Sequence, residues 1–250
     1  MSDIKLVLTD LDGTVVLPEA QSASDVVVSS IREARSRGIE FAAITGRPYW
    51  MAKDLLKHLG FDGLCVLEGG GVILNPQTGE IVWSKTVPID ITQTVVTELK
   101  KHAFIMEYGD GVKAADEVQV ADIKQPAFSI WASVSVDASD ELVKTLQKLP
   151  NIAVHANHAP AGDTTRTGIQ ITHIEADKEH AVKKLLKIVR IDKAHTLAIG
   201  DGNNDLPLFN AAEVKVAMGN ASELLKTAAD YIVPSVQDDG FAEAIQTYAV

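Results

Sequence analysis

Nothing constrains the fold of this chain more than a rhythm. Short apolar runs alternate with amphipathic stretches near its start, lose that order, and recover it near its end. The opening series is "IKLVLT", then "SASDVVVSSIREARSRG", "IEFAAIT", "PYWMAKDLLKHLG" and "LCVL". Apolar runs without polar alternation suit strands buried on both faces. Helical stretches between them argue a parallel sheet covered on both sides. Ser22 and Asp25 have capping-box spacing for the first helix, and Gly38 is its stop. Pro48 suits the first turn of the second helix, and Gly60 stands past its end.

The order breaks near residue 72. "VILNPQTGEIVWS" reads as two strands around an Asn-Pro…Gly turn. Helical segments ("ITQTVVTELKKH", "SDELVKTLQKL") then flank "FSIWASVSVD", whose period-2 alternation predicts a sheet with one face buried. From "IQIT" the first rhythm returns, through "DKEHAVKKLLKIV", "HTLAIG", "VKVAM" and "YIV" to a final helix. The expected architecture is α/β, a Rossmann-like doubly wound parallel-sheet core interrupted by an α+β cap. Residues 1–81 and 168–250 form the core and 82–167 the cap.

Three apolar runs end in a polar residue: Asp10, Thr45 and Asp201. Open parallel sheets bind ligands outside the carboxyl ends of their strands, so these residues meet in one crevice if the strands are neighbours. Asp12 follows Asp10 in "DLDGT", and Asn204 and Asp205 follow Asp201 in "GDGNND". Each motif alone reads as a turn, since Asp, Asn and Gly tolerate unusual backbone angles. Together, Asp10, Asp12, Asp201 and Asp205 make a cluster of negative charge that is costly unless neutralised. Oxygen-only ligands with room for water and phosphate suit Mg²⁺. Thr45 and Gly46 sit between a strand and a helix start, where a hydroxyl and backbone N–H groups can hold phosphate oxygens. Lys178, in the first turn of its helix, can add a positive charge, although alone it reads as a solvated helix residue.

Charge and composition narrow the partners. A formal net charge of −11 argues against nucleic acid, which needs clustered Lys and Arg. No apolar stretch reaches the roughly 18 residues of a membrane span. The start "MSDIKLVL" lacks the layout of a secretory signal. Cys65 is the one cysteine, so no internal disulfide is possible. A cytoplasmic protein is expected, with no nucleic-acid or membrane partner, and the charge does not exclude a small phosphate ligand.

"DLDGT", "ITGRP", the helix-opening Lys178 and "GDGNND" stand in the order of the four motifs of the haloacid dehalogenase superfamily. The chain resembles its Cof-like subclass IIB, whose α+β cap lies between the second and third motifs. The resemblance extends to "VAMGNA" and "DDGFAEAI" near the end. It implies that Asp10 is a nucleophile that becomes an aspartyl phosphate. Asp12 would protonate the leaving alcohol and then activate water. Asp10, the Asp12 carbonyl and Asp201 would hold Mg²⁺, with Asp205 close by or coordinating through water, and Thr45, Gly46, Lys178 and Asn204 would bind the phosphoryl group. The implied reaction is hydrolysis of a sugar phosphate or similar monoester. Passing the same phosphoryl group to a sugar, as a phosphomutase or phosphotransferase, is the nearer alternative. A metabolite-binding module without turnover is the other, and intact Asp10 and Asp12 argue against it. The chain departs from the family pattern at Gly69, where Asn is common, and at Glu175 and Glu179, where many relatives carry glycines.

Arg47 and Arg166 are possible substrate contacts; each also reads as an ordinary surface arginine. His155 and His158 in "HANH" lack partner ligands for a metal and read as surface or hydrogen-bonded groups. Trp83 and Trp131 read as packing residues of the cap, and Cys65 as inert core.

Overall fold

The computed structural model describes residues 3–18, 20–108, 111–157 and 165–250, with side chains except those of 107, 108, 111–113 and 157. His158 and the first three residues of "GDTTRTG" lie outside the described residues. The chain divides into two compact units, Met1–Trp83 with Lys178–Val250, and Ser84–Asp177.

The first unit begins with β1 (Leu6–Thr9), α1 (Asp25–Ser36), β2 (Glu40–Ala43), α2 (Tyr49–Leu59), β3 (Cys65–Leu67), β4 (Val72–Leu74) and β5 (Ile81–Ser84). All four residues of β1 are buried, as an apolar run covered on both faces requires. Helix α1 is capped by Ser24, whose hydroxyl accepts the Val27 N–H at 3.2 Å, not by Ser22. A β-region residue immediately before the first turn has the backbone geometry for that bond, and Ser24 (φ −65°, ψ 156°) occupies that place. Gly60 closes α2 in the left-handed conformation (φ 75°).

The second unit holds α3 (Ile89–Leu99), β6 (Ala103–Tyr108), β7 (Gly111–Ala114), β8 (Ser129–Ser135), α4 (Val136–Leu146), β9 (Ile152–Asn157) and β10 (Arg166–His173). Its sheet runs β7-β6-β8-β10-β9, and every pairing is antiparallel. The alternation read in β8 is real: Ile130, Ala132 and Val134 enter one core with Val95, Val96, Leu99, Leu142 and Leu146 of the two helices. Ile169–Thr172, read in the sequence as the return to parallel layers, instead pairs antiparallel with β8 and β9. The return therefore falls after His173 and not at residue 168. A four-residue apolar run suits either kind of sheet, and its partners decide.

The chain then completes the first unit with α5 (Lys178–Val189), β11 (Thr196–Gly200), α6 (Leu206–Asn210), β12 (Val214–Ala217), α7 (Glu223–Ala228), β13 (Tyr231–Ile232) and α8 (Gly240–Tyr248). The five strands order as β13-β12-β11-β1-β2, all parallel. From β1 the chain moves outward to β2, and from β11 it moves the opposite way to β12. Right-handed crossovers in opposite directions put α1 and α6 on opposite faces. Consistently, α1 packs with α8 and α5 with α6. The reversal lies between β1 and β11, where Thr9 stands opposite Ile199. The residue after each, Asp10 and Gly200, reaches the carboxyl rim together, with Asp201 one step beyond. On the other side Thr9 stands opposite Ala43, which brings Thr45 to the same rim.

Leu8 is fully buried between these neighbours. Leu8→Ala should lower unfolding free energy by about 2–5 kcal/mol in urea titrations, the lost transfer energy plus the cavity. A loss below about 1 kcal/mol would show that the sheet is not held by this layer.

Candidate active site

Strand β1 ends at Asp10, whose carboxylate is buried. Its N–H donates to the Ile199 carbonyl (3.3 Å), tying it to β11. Lys178, buried at the start of α5, stands 3.3 Å from Asp10 Oδ2 and donates to Asp205 Oδ1 at 2.8 Å. Asp205 is fully buried, and its second oxygen accepts the N–H groups of Asp201 (3.1 Å) and Gly202 (3.0 Å). Asp205 therefore folds the "GDGNND" turn and anchors Lys178 with one carboxylate. Asp201 accepts the Thr14 hydroxyl at 2.8 Å. One carboxylate oxygen each from Asp10, Asp201 and Asp205 lie within 4.8 Å of one another.

Burial dominates the electrostatics. Desolvation pushes the Asp10 carboxyl up to about 8; Lys178 pulls it down, while Asp205 and Asp201 push it further up. Asp201 is raised to about 6, again chiefly by burial, against the Thr14 hydrogen bond. Burial alone would lower the Lys178 pKa, but the charges of Asp10 and Asp205 outweigh it and hold the proton on. A buried group with more negative charges than positive ones favours either a proton or a cation. Three carboxylate oxygens at this separation fit a hard divalent cation.

Asp12 stands apart from that triad. Its two oxygens accept the Arg47 Nε–H (2.8 Å) and an Arg47 terminal N–H (2.6 Å), a bidentate fork. The same terminal nitrogen donates to the Ala20 carbonyl (3.0 Å), and Arg47 is only 5% exposed. Arg47 is thus no surface arginine; it holds Asp12. Nothing in "ITGRP" signals this, because the pairing spans 35 residues. The Arg47 N–H donates to the Thr45 hydroxyl (3.1 Å), leaving that hydroxyl's own proton to donate. Gly46 is exposed at the same turn, and Asn204 is exposed beside Asp205.

Sequence reasoning missed two residues. Thr14 fixes Asp201, and Asn220 spans the rim: its amide donates to the Gly13 carbonyl (2.8 Å), and its oxygen accepts the Val236 N–H (2.9 Å). Both lie inside quoted motifs, "DLDGT" and "VAMGNA", so the signal was present without an assigned role. Gly13 has φ 79°, and a Cβ there would come within 2.2 Å of Asp201 Oδ2. Only glycine lets the two strands' loops approach this closely.

The family departures find local roles. Gly69 (φ 68°) donates its N–H to the Thr45 carbonyl at 3.1 Å. Glu175 pairs with Lys85 in the second unit (2.5 Å), and Glu179 with Lys183 along α5. Arg166 also belongs to the second unit, with its guanidinium 4.1 Å over the Phe104 ring. His155 is exposed on β9. Trp131 packs on Gly168, where a Cβ would meet its indole at 2.9 Å, whereas Trp83 falls in the first unit. Burial raises the Cys65 thiol to about 12, consistent with inert core. No helix among the described residues is long and apolar enough to cross a membrane.

Comparison with known proteins bears on the family and the fold. The family model of haloacid dehalogenase-like hydrolases matches residues 7–114 and 110–245. The chain is 26% identical over 254 residues to 5-amino-6-(5-phospho-D-ribitylamino)uracil phosphatase YcsE of Bacillus subtilis, covering 99% of this chain and 97% of that protein. It is 27% identical over 249 residues to phosphoglycolate phosphatase 1 of Saccharolobus solfataricus, covering 97% and 94%. The crystal structure of a haloacid dehalogenase-like hydrolase from Bacteroides thetaiotaomicron superposes with a TM-score of 0.83 at 23% identity, over 97% of this chain and 98% of that one. A subclass IIB sugar phosphatase gives 0.78 at 18% identity, over 98% and 100%.

The raised carboxyls set a pH dependence. Unfolded, Asp titrates near ~3.9. In the metal-free fold Asp10 and Asp201 bind protons more tightly, so the stability they contribute is whole below the unfolded value and lost as pH rises through about 6 and about 8. Lys178 stays charged across this window and does not alter the sign. The chelated protein should therefore gain more in unfolding temperature from Mg²⁺ at about pH 8 than at about pH 5. Equal gains in calorimetry at both pH values would contradict the buried-cluster account.

Proposed function

The chain belongs to the haloacid dehalogenase-like hydrolases, and from that membership we propose that it is a Mg²⁺-dependent phosphatase of small phosphate monoesters, working through an aspartyl phosphate on Asp10. The observation that carries this reading is the buried ammonium of Lys178, 3.3 Å from Asp10, beside three clustered carboxylates. Such a site suits an anion and a cation at once. Asp10, Asp201, Asp205 and the Asp12 carbonyl would hold the metal. When bound, it would neutralise the carboxylates and the phosphoryl oxygens and keep Asp10 ionised.

The protein's own groups then divide the work. An Asp10 oxygen attacks phosphorus; the O–P bond forms as the bond to the leaving oxygen breaks. Asp12 gives that oxygen a proton, then takes one from the water that attacks phosphorus and frees Asp10 and phosphate. Lys178 and the Thr45 hydroxyl, with the turn at Gly46 and with Asn204, bind phosphoryl oxygens. Arg47 aims Asp12. A protonated Asp12 oxygen is a poor acceptor, so proton transfer must loosen one arm of the fork.

The names of the relatives support the substrate class. They act on phosphoglycolate, a phosphoribitylamino-uracil and, for the solved neighbour, a sugar phosphate. Phosphorylated metabolites of that size, met in the cytoplasm, are the proposed substrates. Arg166 is a proposed specificity contact.

Substitution separates the two carboxylates. Asp10→Asn should abolish turnover of every phosphate ester, because an amide is a poor nucleophile. Asp12→Asn should fail on alkyl phosphates yet release a burst of nitrophenol from 4-nitrophenyl phosphate and stall, since that leaving group needs no proton but water still needs a base. Intact-mass detection of a phosphoryl adduct checks this; Asp12→Asn turning over alkyl phosphates like the parent would reassign the acid–base role.

Arg47→Lys keeps the charge but loses the fork. It should lower kcat for alkyl phosphates by about tenfold or more and the nitrophenol burst rate much less. Equal loss in both assays would make Arg47 a phosphate ligand or a folding residue instead.

A further inference from the structure

Away from the carboxylates, the C-terminal half of α5 and the turn after it line a cleft of about 450 Å³. Lys183, Lys187, Arg190 and Lys193 stand around an apolar floor of Leu186 and Ile191, and Asp192 is the one acid. The four basic residues are exposed and the floor is half-buried. In a chain of net charge −11 this local excess runs against the trend. A helix C-terminus favours positive charge, but its dipole amounts to about half a charge, which one cation answers.

The four cations are not equivalent. Lys183 pairs with Glu179, and Lys193 donates to the Asn210 carbonyl at 3.0 Å. Among the described residues, the side chains of Lys187 and Arg190 have neither ion pair nor hydrogen bond. Arg190 also holds a left-handed backbone (φ 58°), a place that glycine takes without strain.

We propose that this cleft binds a small organic anion carrying two or more phosphate groups, at a site separate from the carboxylates. Its volume lies in the range of small-molecule sites, and its apolar floor offers a surface to the organic part. Lys187 and Arg190 supply the point charge and the planar fork that phosphates accept. Larger partners fit poorly. A nucleic acid would meet the repulsion of the whole chain. A second copy across a two-fold axis would set the basic patch against itself, and a head-to-tail contact would not end in a closed dimer. At about 1.5 Å per residue, Arg190 lies roughly 18 Å along the helix from Lys178, beyond a physiological Debye length of about 8 Å. An occupant therefore leaves catalysis free.

The test compares the protein with a Lys187→Ala/Arg190→Gly double variant, both Mg²⁺-loaded. Calorimetric titration uses ADP and AMP as probes in an Asp10→Asn background, so that neither is consumed. ADP should bind the parent more tightly than AMP does, and the double variant should lose ADP affinity by about tenfold or more. With Asp10 intact, kcat/KM for 4-nitrophenyl phosphate should stay within about twofold, and the unfolding temperature should not fall, because glycine suits position 190. Equal ADP affinity in both proteins, or none in either, overturns the proposal. So does a matching loss of kcat/KM, which would place ADP at the carboxylates. Cosedimentation with phosphatidylserine vesicles that the double variant loses, without ADP binding, would assign the cleft to a lipid surface and overturn it as well.

Discussion

The structure of the first unit turns on how three clustered carboxylates, two buried and one half-buried, are kept together. Two like charges no more than 4.8 Å apart repel by at least roughly 3 kcal/mol at an effective dielectric near 20, and burial adds to that cost. Asp205 meets it with one oxygen on Lys178 and the other on two backbone N–H groups. Asp201 has the Thr14 hydroxyl. Asp10 has Lys178 at 3.3 Å, yet burial still pushes its carboxyl upward. Charge balance is therefore incomplete by design of the donor set, and the residual demand is for a cation. The same demand explains Gly13, since the carboxylates can converge only if the loop beside Asp201 carries no side chain.

Asp10 and Asp12 are two residues apart and chemically identical, yet their surroundings separate them. Asp10 faces Lys178 and the acids beside it, whereas Asp12 accepts the Nε–H and one terminal N–H of Arg47. Different partners suit two carboxylates to different tasks, which is the physical ground on which we propose one as nucleophile and the other as proton carrier. Arg47 and Lys178 supply charge in unlike forms. The guanidinium fixes the direction of Asp12, while the ammonium supplies a point charge beside Asp10.

The sheet itself was largely legible in the sequence. Unbroken apolar runs ending in Asp10, Thr45 and Asp201 implied buried parallel strands with a common rim, and the register of β1 with β2 and β11 has that rim. The alternation around Trp131 likewise implied a one-sided sheet, and the helix-facing residues of β8 are Ile130, Ala132 and Val134. The run "IQIT" misled because burial pattern over four residues is shared by parallel and antiparallel strands; hydrogen-bonding partners more than thirty residues away in β8 determine which it is. The Ser24 cap was missed for a smaller reason: several hydroxyls precede the helix, and only backbone geometry selects the one that faces the free N–H.

Residue type and local order alone determined the α/β class, the interruption, the four motifs and the carboxylates that converge, because each follows from periodicity or from chemistry confined to a few neighbouring residues. Tertiary structure alone decided who faces whom. The fork of Arg47 on Asp12 closes over 35 residues, the contact of Lys178 with Asp205 over 27, and Thr14 reaches Asp201 across 187. Such pairings depend on strand register and helix placement, and a side chain's sequence neighbours carry no information about either. Orientation and charge balance at the site are set there, in the packing.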